Sequence, residues 1–144
     1  MASIAWVLLV EDDADHRLLI REVISRMNVA VDYHEAAGAL EGLEWIKMRG
    51  RRKGGLANGM VLLDLGLSGP SGFDFLEWVR EYPELRSLPV FVLTASENPM
   101  DAEHAFNLGA RGFFQKPSDF RDYEKILKAA LAGISPSGTE GSVS

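Results

Sequence analysis

Ile4-Ala-Trp-Val-Leu-Leu-Val-Glu-Asp-Asp13 sets seven apolar residues against three acids. An unbroken apolar run of this length predicts a strand buried on both faces, as in a parallel sheet covered by helices. The next segment changes period. Leu19, Ile20, Val23, Ile24 and Met27 recur at helical spacing, and Asn28 is a plausible helix stop. The alternation then continues. Val29–Tyr33 predicts a weaker strand, residues 37–48 a helix, Met60–Asp64 a strand, Phe73–Glu81 a helix, and Pro89–Thr94 a strand. Asn98–Leu108 predicts a helix, with Pro99 in its first turn and Gly109 after its end. Arg111–Gln115 predicts a short fifth strand and Phe120–Leu131 a last helix. Strands alternating with helices imply a parallel sheet sandwiched between helical layers. Ligand sites in such sheets lie at the carboxyl ends of the strands.

The composition agrees. Of 144 residues, 47% are hydrophobic and 25% charged, which suits one soluble globular domain, expected over residues 1–132. Residues 133–144 are rich in Gly and Ser and are expected to form a disordered tail. The net charge of −6 argues against a nucleic-acid partner. The one basic run, Arg49, Arg51, Arg52 and Lys53, lies among glycines and predicts a solvated loop. No apolar run approaches a membrane span, and the first is too short for a signal peptide, so a cytoplasmic protein is expected. With no cysteine, disulfides and thiolate metal sites are excluded.

The strand ends carry the chemistry. Strand one is followed by Glu11, Asp12 and Asp13, strand three ends in Asp64, strand four in Thr94, and strand five leads into Lys116-Pro117. Each alone reads as a helix cap or a surface charge. Together on one sheet edge they form a cluster of acids with a hydroxyl and an ammonium. Converging carboxylates repel and raise one another's pKa, a conflict that a hard cation such as Mg²⁺ resolves. A carboxylate beside Mg²⁺ can take a phosphoryl group as an aspartyl phosphate. The charge spread over the phosphoryl oxygens then needs the metal, the Lys and the Thr hydroxyl.

Four segments in order resemble the receiver domain of two-component response regulators: Val7-Leu-Leu-Val-Glu-Asp-Asp13, Val61-Leu-Leu-Asp-Leu65, Val92-Leu-Thr-Ala-Ser96 and Gly112-Phe-Phe-Gln-Lys-Pro117. The resemblance spans residues 4–132. It implies a flavodoxin-like (βα)5 doubly wound sandwich with five parallel strands in the order 2-1-3-4-5. By that resemblance Asp64 is the phosphoacceptor. Asp12 is a direct Mg²⁺ ligand, Glu11 a ligand mainly through water, and Gly66 a backbone ligand. Asp13 is an accessory acid. Thr94 is the switch hydroxyl, Lys116 the phosphate-binding Lys and Phe113 the switch aromatic, with Phe114 pointing to the opposite face. The resemblance also implies a cis Lys116–Pro117 bond.

The function implied is that of a phosphorylated signalling switch rather than an enzyme on other substrates, catalysing only its own phosphorylation and dephosphorylation. With only about a dozen residues after the last helix, a stand-alone regulator is expected. Its partners would be a sensor histidine kinase, a downstream protein and, for some members, a second copy. The Gly50–Gly59 loop and residues 83–89 resemble single-domain regulators that pair with phytochrome-type kinases. Leu18, off the apolar stripe of the first helix, is a candidate kinase contact. One segment departs from the family: Leu65-Gly-Leu-Ser-Gly-Pro-Ser-Gly72 carries its Pro six residues after Asp64 rather than four.

Overall fold

A computed structural model describes residues 4–132. Five strands, β1 (Trp6–Val10), β2 (Asp32–Ala36), β3 (Gly59–Leu63), β4 (Val90–Thr94) and β5 (Gly112–Gln115), form one sheet in the order β2-β1-β3-β4-β5. Every pairing is parallel. The connecting helices are α1 (Ala14–Arg26), α2 (Ala39–Gly50), α3 (Gly72–Glu81), α4 (Pro99–Asn107) and α5 (Phe120–Leu131). The expected tail, residues 133–144, lies outside the described residues.

The unbroken apolar strands arise because β1, β3 and β4 are buried along their whole lengths. Alternate residues feed two cores. Leu8, Val10, Val61, Leu63 and Val92 pack with Leu43, Ile46, Phe75 and Leu76 of α2 and α3. Val7, Leu9, Met60, Leu62 and Phe91 pack with Ile20, Val23, Tyr123 and Leu127 of α1 and α5. Burying each such side chain contributes about 2 kcal/mol to the drive to fold.

Three expectations need correction. The second strand begins three residues later than Val29–Tyr33. At the sheet edge, backbone pairing with β1 decides the register, from Trp6 opposite Asp32 to Val10 opposite Ala36. The acidic residues of β2 are paired laterally. Asp32 pairs with Arg49, and Glu35 takes two hydrogen bonds from Arg21. Arg49 is not part of a solvated loop. It lies in α2, donates from Nε to Gly55 O at 2.8 Å, and sets its guanidinium over the rings of Trp6 and Trp45. Lastly, all peptide bonds of the described residues are trans, including Lys116–Pro117. Trans is the intrinsically preferred isomer even before proline.

Candidate functional site at the carboxyl edge of the sheet

The parallel sheet delivers each strand end to one edge. β1 ends at Val10, so Glu11 and Asp12 emerge there. β3 ends at Leu63, so Asp64 follows beside them, its amide donating to Val10 O at 3.1 Å. β4 ends in Thr94, and the Lys116 amide donates to Thr94 O at 2.7 Å. Glu11, Asp12 and Asp64 place carboxylate oxygens within 4.8 Å of one another. Glu11 and Asp64 are 1% and 6% exposed, and Thr94 is 3% exposed.

Lys116 binds the cluster together. Its Nζ donates to Glu11 Oε1 at 2.9 Å and to Asp64 Oδ2 at 3.3 Å. Asp64 Oδ1 accepts the Gly66 amide at 3.3 Å. Glu11 Oε2 accepts the Asp13 amide at 3.2 Å, and Glu11 O accepts Arg17 Nη1 at 2.9 Å. These partners overturn the expected upward shift of the acids at Glu11. Burial pushes its carboxyl up, but His16, Lys116 and the Asp13 amide outweigh burial and hold it at about 2. Lys116 is shifted upward for the matching reason. Burial pulls it down, and Glu11 and Asp64 more than restore it.

Asp13 is a helix cap rather than a member of the acidic cluster. It is the N-cap of α1, and its side chain accepts the Asp15 amide at 3.0 Å. Asp12 remains at the site, with Oδ2 accepting the Ser68 amide at 2.7 Å and the Ser68 hydroxyl. Phe113 packs into the core on the α2–α3 face, whereas Phe114 packs into the other and stacks on Phe91. Ser96 Oγ donates to Asp101 Oδ2 of α4 at 2.5 Å.

Three participants escape strand-end reasoning: Ser68, His16 and its partner Tyr123. Ser68 belongs to the departing loop, and its contact with Asp12 spans 56 residues. His16 lies in the first turns of α1, with Nδ1 3.0 Å from Glu11 Oε1 and Nε2 2.9 Å from Tyr123 Oη. A lone His between Asp15 and Arg17 carries no sequence signal, because its partner Tyr123 is 107 residues away.

The donor set fits a hard divalent cation. It consists of carboxylate oxygens, and neither thiol nor imidazole lies among the three grouped residues. Asp12 and Asp64 would hold Mg²⁺, with Glu11 behind them.

The response regulator receiver domain model matches residues 7–128. The chain belongs to that family. Its members are the signalling switches of two-component systems. Response regulator Rcp1 of Synechocystis is 25% identical over 122 residues, covering 85% of this chain and 83% of Rcp1. The phosphorylated cyanobacterial phytochrome response regulator RcpA superposes with a TM-score of 0.74 at 24% identity, covering 89% of this chain and 91% of RcpA. The Mn²⁺-bound form of Rcp1 superposes with a TM-score of 0.67 at 25% identity, covering 96% and 97% of the two chains. The fold is therefore the flavodoxin-like receiver fold. Among the described residues, no helix is long and apolar enough to cross a membrane.

Proposed function

We propose that Asp64 accepts a phosphoryl group from the phosphohistidine of a sensor kinase and that the modified domain switches a protein-binding surface. The observation that carries this reading is the contact set of Asp64: a buried carboxylate 3.3 Å from Lys116 Nζ and within 4.8 Å of two further acids.

In the transfer, an Asp64 carboxylate oxygen attacks phosphorus and the N–P bond of the donor breaks. The electron pair goes to the imidazole nitrogen, and a proton carried on the other nitrogen of that ring leaves the donor histidine neutral. Bound Mg²⁺ would neutralise charge on the acids and the phosphoryl oxygens. Lys116 supplies an ammonium already positioned beside Asp64, so little reorganisation is needed as charge develops. The Thr94 hydroxyl, on the last residue of β4, is available to a phosphoryl oxygen. Its movement toward the site would free space on the face where Phe113 packs. That pair forms a two-state element biased by one local charge change.

The kinase is proposed to be of the phytochrome type, because RcpA is named as a phytochrome response regulator. The output is proposed to be a protein contact on α4, β5 and α5, where Met100 and Phe106 of α4 are exposed. The same surface could join two copies.

Incubation with acetyl phosphate and Mg²⁺ tests the core of this reading. One phosphoryl group per chain is expected, stable in acid and labile in base, and absent from Asp64→Asn. A wild-type protein that takes no label, or a variant that labels equally, defeats it. Phosphotransfer from candidate histidine kinases then identifies the donor.

A further inference from the structure

Asp12 is the least buried of the three clustered acids, and it meets two donors from a single residue. Its Oδ2 accepts the Ser68 amide at 2.7 Å and also the Ser68 hydroxyl. Among the described residues its Oδ1 accepts no hydrogen bond. An ionised carboxylate has about four acceptor positions on its two oxygens, so a doubly bonded Oδ2 leaves Oδ1 open. With Ser68 in place, Asp12 still offers an oxygen within 4.8 Å of oxygens of Glu11 and Asp64. The conformer that Ser68 holds is therefore one in which the three acids converge. Lys116 bonds Glu11 and Asp64 but not Asp12. Repulsion from the other two acids would turn a free Asp12 out to water. Two donors on one oxygen oppose that turn.

Ser68 stands on a firm support. Leu65 and Leu67 are buried in the core on the α2–α3 face. Gly69 turns the chain at φ +73°, and Ser71 caps α3 three residues after Ser68. A loop pinned on both sides thus carries a pair of donors to a fixed place. The residue type matters equally. Position 68, four residues after Asp64, is where the family pattern has its Pro. Proline has neither an amide hydrogen nor a hydroxyl to give. With the Pro at position 70 instead, both donors that reach Asp12 become available.

We infer that Ser68 is a positioning residue for the divalent cation: it holds Asp12 in a ligating conformation through Oδ2 and leaves Oδ1 to the metal. The inference rests on the reading of Glu11, Asp12 and Asp64 as a Mg²⁺ site. Carboxylates that bind metals are held by such donors, and losing one costs about 10–100-fold in metal affinity. The contact also ties the loop beside Asp64 to the segment after β1, so metal binding and order in this loop support each other.

Metal titrations of wild type, Ser68→Ala and Ser68→Thr test this, with Mg²⁺ followed by calorimetry and free Mn²⁺ by electron paramagnetic resonance. Ala loses the hydroxyl, whereas Thr keeps hydroxyl and amide. We expect Ala to weaken both cations about tenfold and Thr to stay within about threefold of wild type. The Ser68 amide gives a second readout. Bonded to a carboxylate, its proton should resonate downfield, stay there when Mg²⁺ is added, and move upfield in Asp12→Ala. An Ala variant of wild-type affinity, or a Thr variant as weak as Ala, overturns the role of Ser68. An amide signal that moves upfield with Mg²⁺ also overturns it, because Asp12 would then leave the loop to reach the metal. In each of these cases wild type still binds the cation and the metal site stands. If wild type binds neither cation, the metal reading falls and the role of Ser68 falls with it.

Discussion

Glu11 shows how one residue is set by several others. Its amide donates to Ala36 O at 3.0 Å, which fixes it at the end of β1, and its side chain is almost wholly buried. A buried acid in that position would ordinarily hold its proton. Here Lys116, His16 and the Asp13 amide reverse the shift, to about 2 against an ordinary 4.5. Because the folded value lies below the unfolded one, the contribution is fully present above pH 4.5. It declines as pH falls from 4.5 to 2 and is absent below that. Its upper bound is about 3 kcal/mol. Urea unfolding at pH 7 and pH 3 should show wild type losing stability on acidification, with Glu11→Gln losing less over the same interval. Equal losses would mean that Glu11 is ionised no more easily in the folded chain than in the unfolded one. Asp64, Asp12, Thr94 and Lys116 are legible in the sequence because each directly follows or ends a strand, and parallel strands end together. Ser68, His16 and Tyr123 are not, since a loop and two helices carry them to the site and no periodicity reports a helix's rotation.

Among the elements, α3 bears most directly on Asp64. Ser71 caps it, with Oγ accepting the Asp74 amide and Asp74 returning to the Ser71 amide. This capping box lies in the segment that departs from the family pattern, and it explains how the loop closes with Pro70 displaced. The Gly72 amide donates to Leu65 O at 3.1 Å. A Cβ on Gly72 would lie 2.5 Å from Asp64 O and 2.7 Å from Leu65 Cα. Alanine is the better helix former by about 1 kcal/mol. The clash is with backbone at the end of a fully buried strand, so strain of about 1–3 kcal/mol wins. Gly72→Ala should therefore lower stability in urea and slow labelling by acetyl phosphate. Ser71→Ala should cost about 1 kcal/mol through lost capping, with a smaller effect on labelling. A Gly72→Ala protein of full stability and normal rate would show that the strand end yields freely. The β2 boundary departs from its sequence pattern for a different reason. Val29 and Val31 have strand propensity, yet Asn28 adopts φ +54° and the chain turns there before it pairs with β1. Edge pairing overrides composition.

At the scale of the whole molecule, folding gathers three acids of a chain with net charge −6 at one sheet edge. Helical layers bury the rest of the sheet, so this edge is where the fold retains electrostatic strain. Lys116 offsets only part of it, since one ammonium serves Glu11 and Asp64 and does not contact Asp12 by hydrogen bond or ion pair. A cation that binds the folded cluster and not the unfolded chain must raise stability by mass action. At ten times its dissociation constant the gain is about 1.4 kcal/mol. For a domain of this size that corresponds to an increase of about 3–6 °C in Tm. Thermal unfolding followed by circular dichroism should thus shift upward as MgCl₂ is added, and EDTA should return it to the starting value. NaCl at matched ionic strength is the control, because general screening acts on all charges alike. Asp12→Ala should have a higher Tm than wild type without metal, through relief of repulsion, and should lose most of the Mg²⁺ response. If NaCl reproduces the shift, or if Asp12→Ala responds as fully as wild type, the cluster is not a metal site and the offset must come from Lys116 alone.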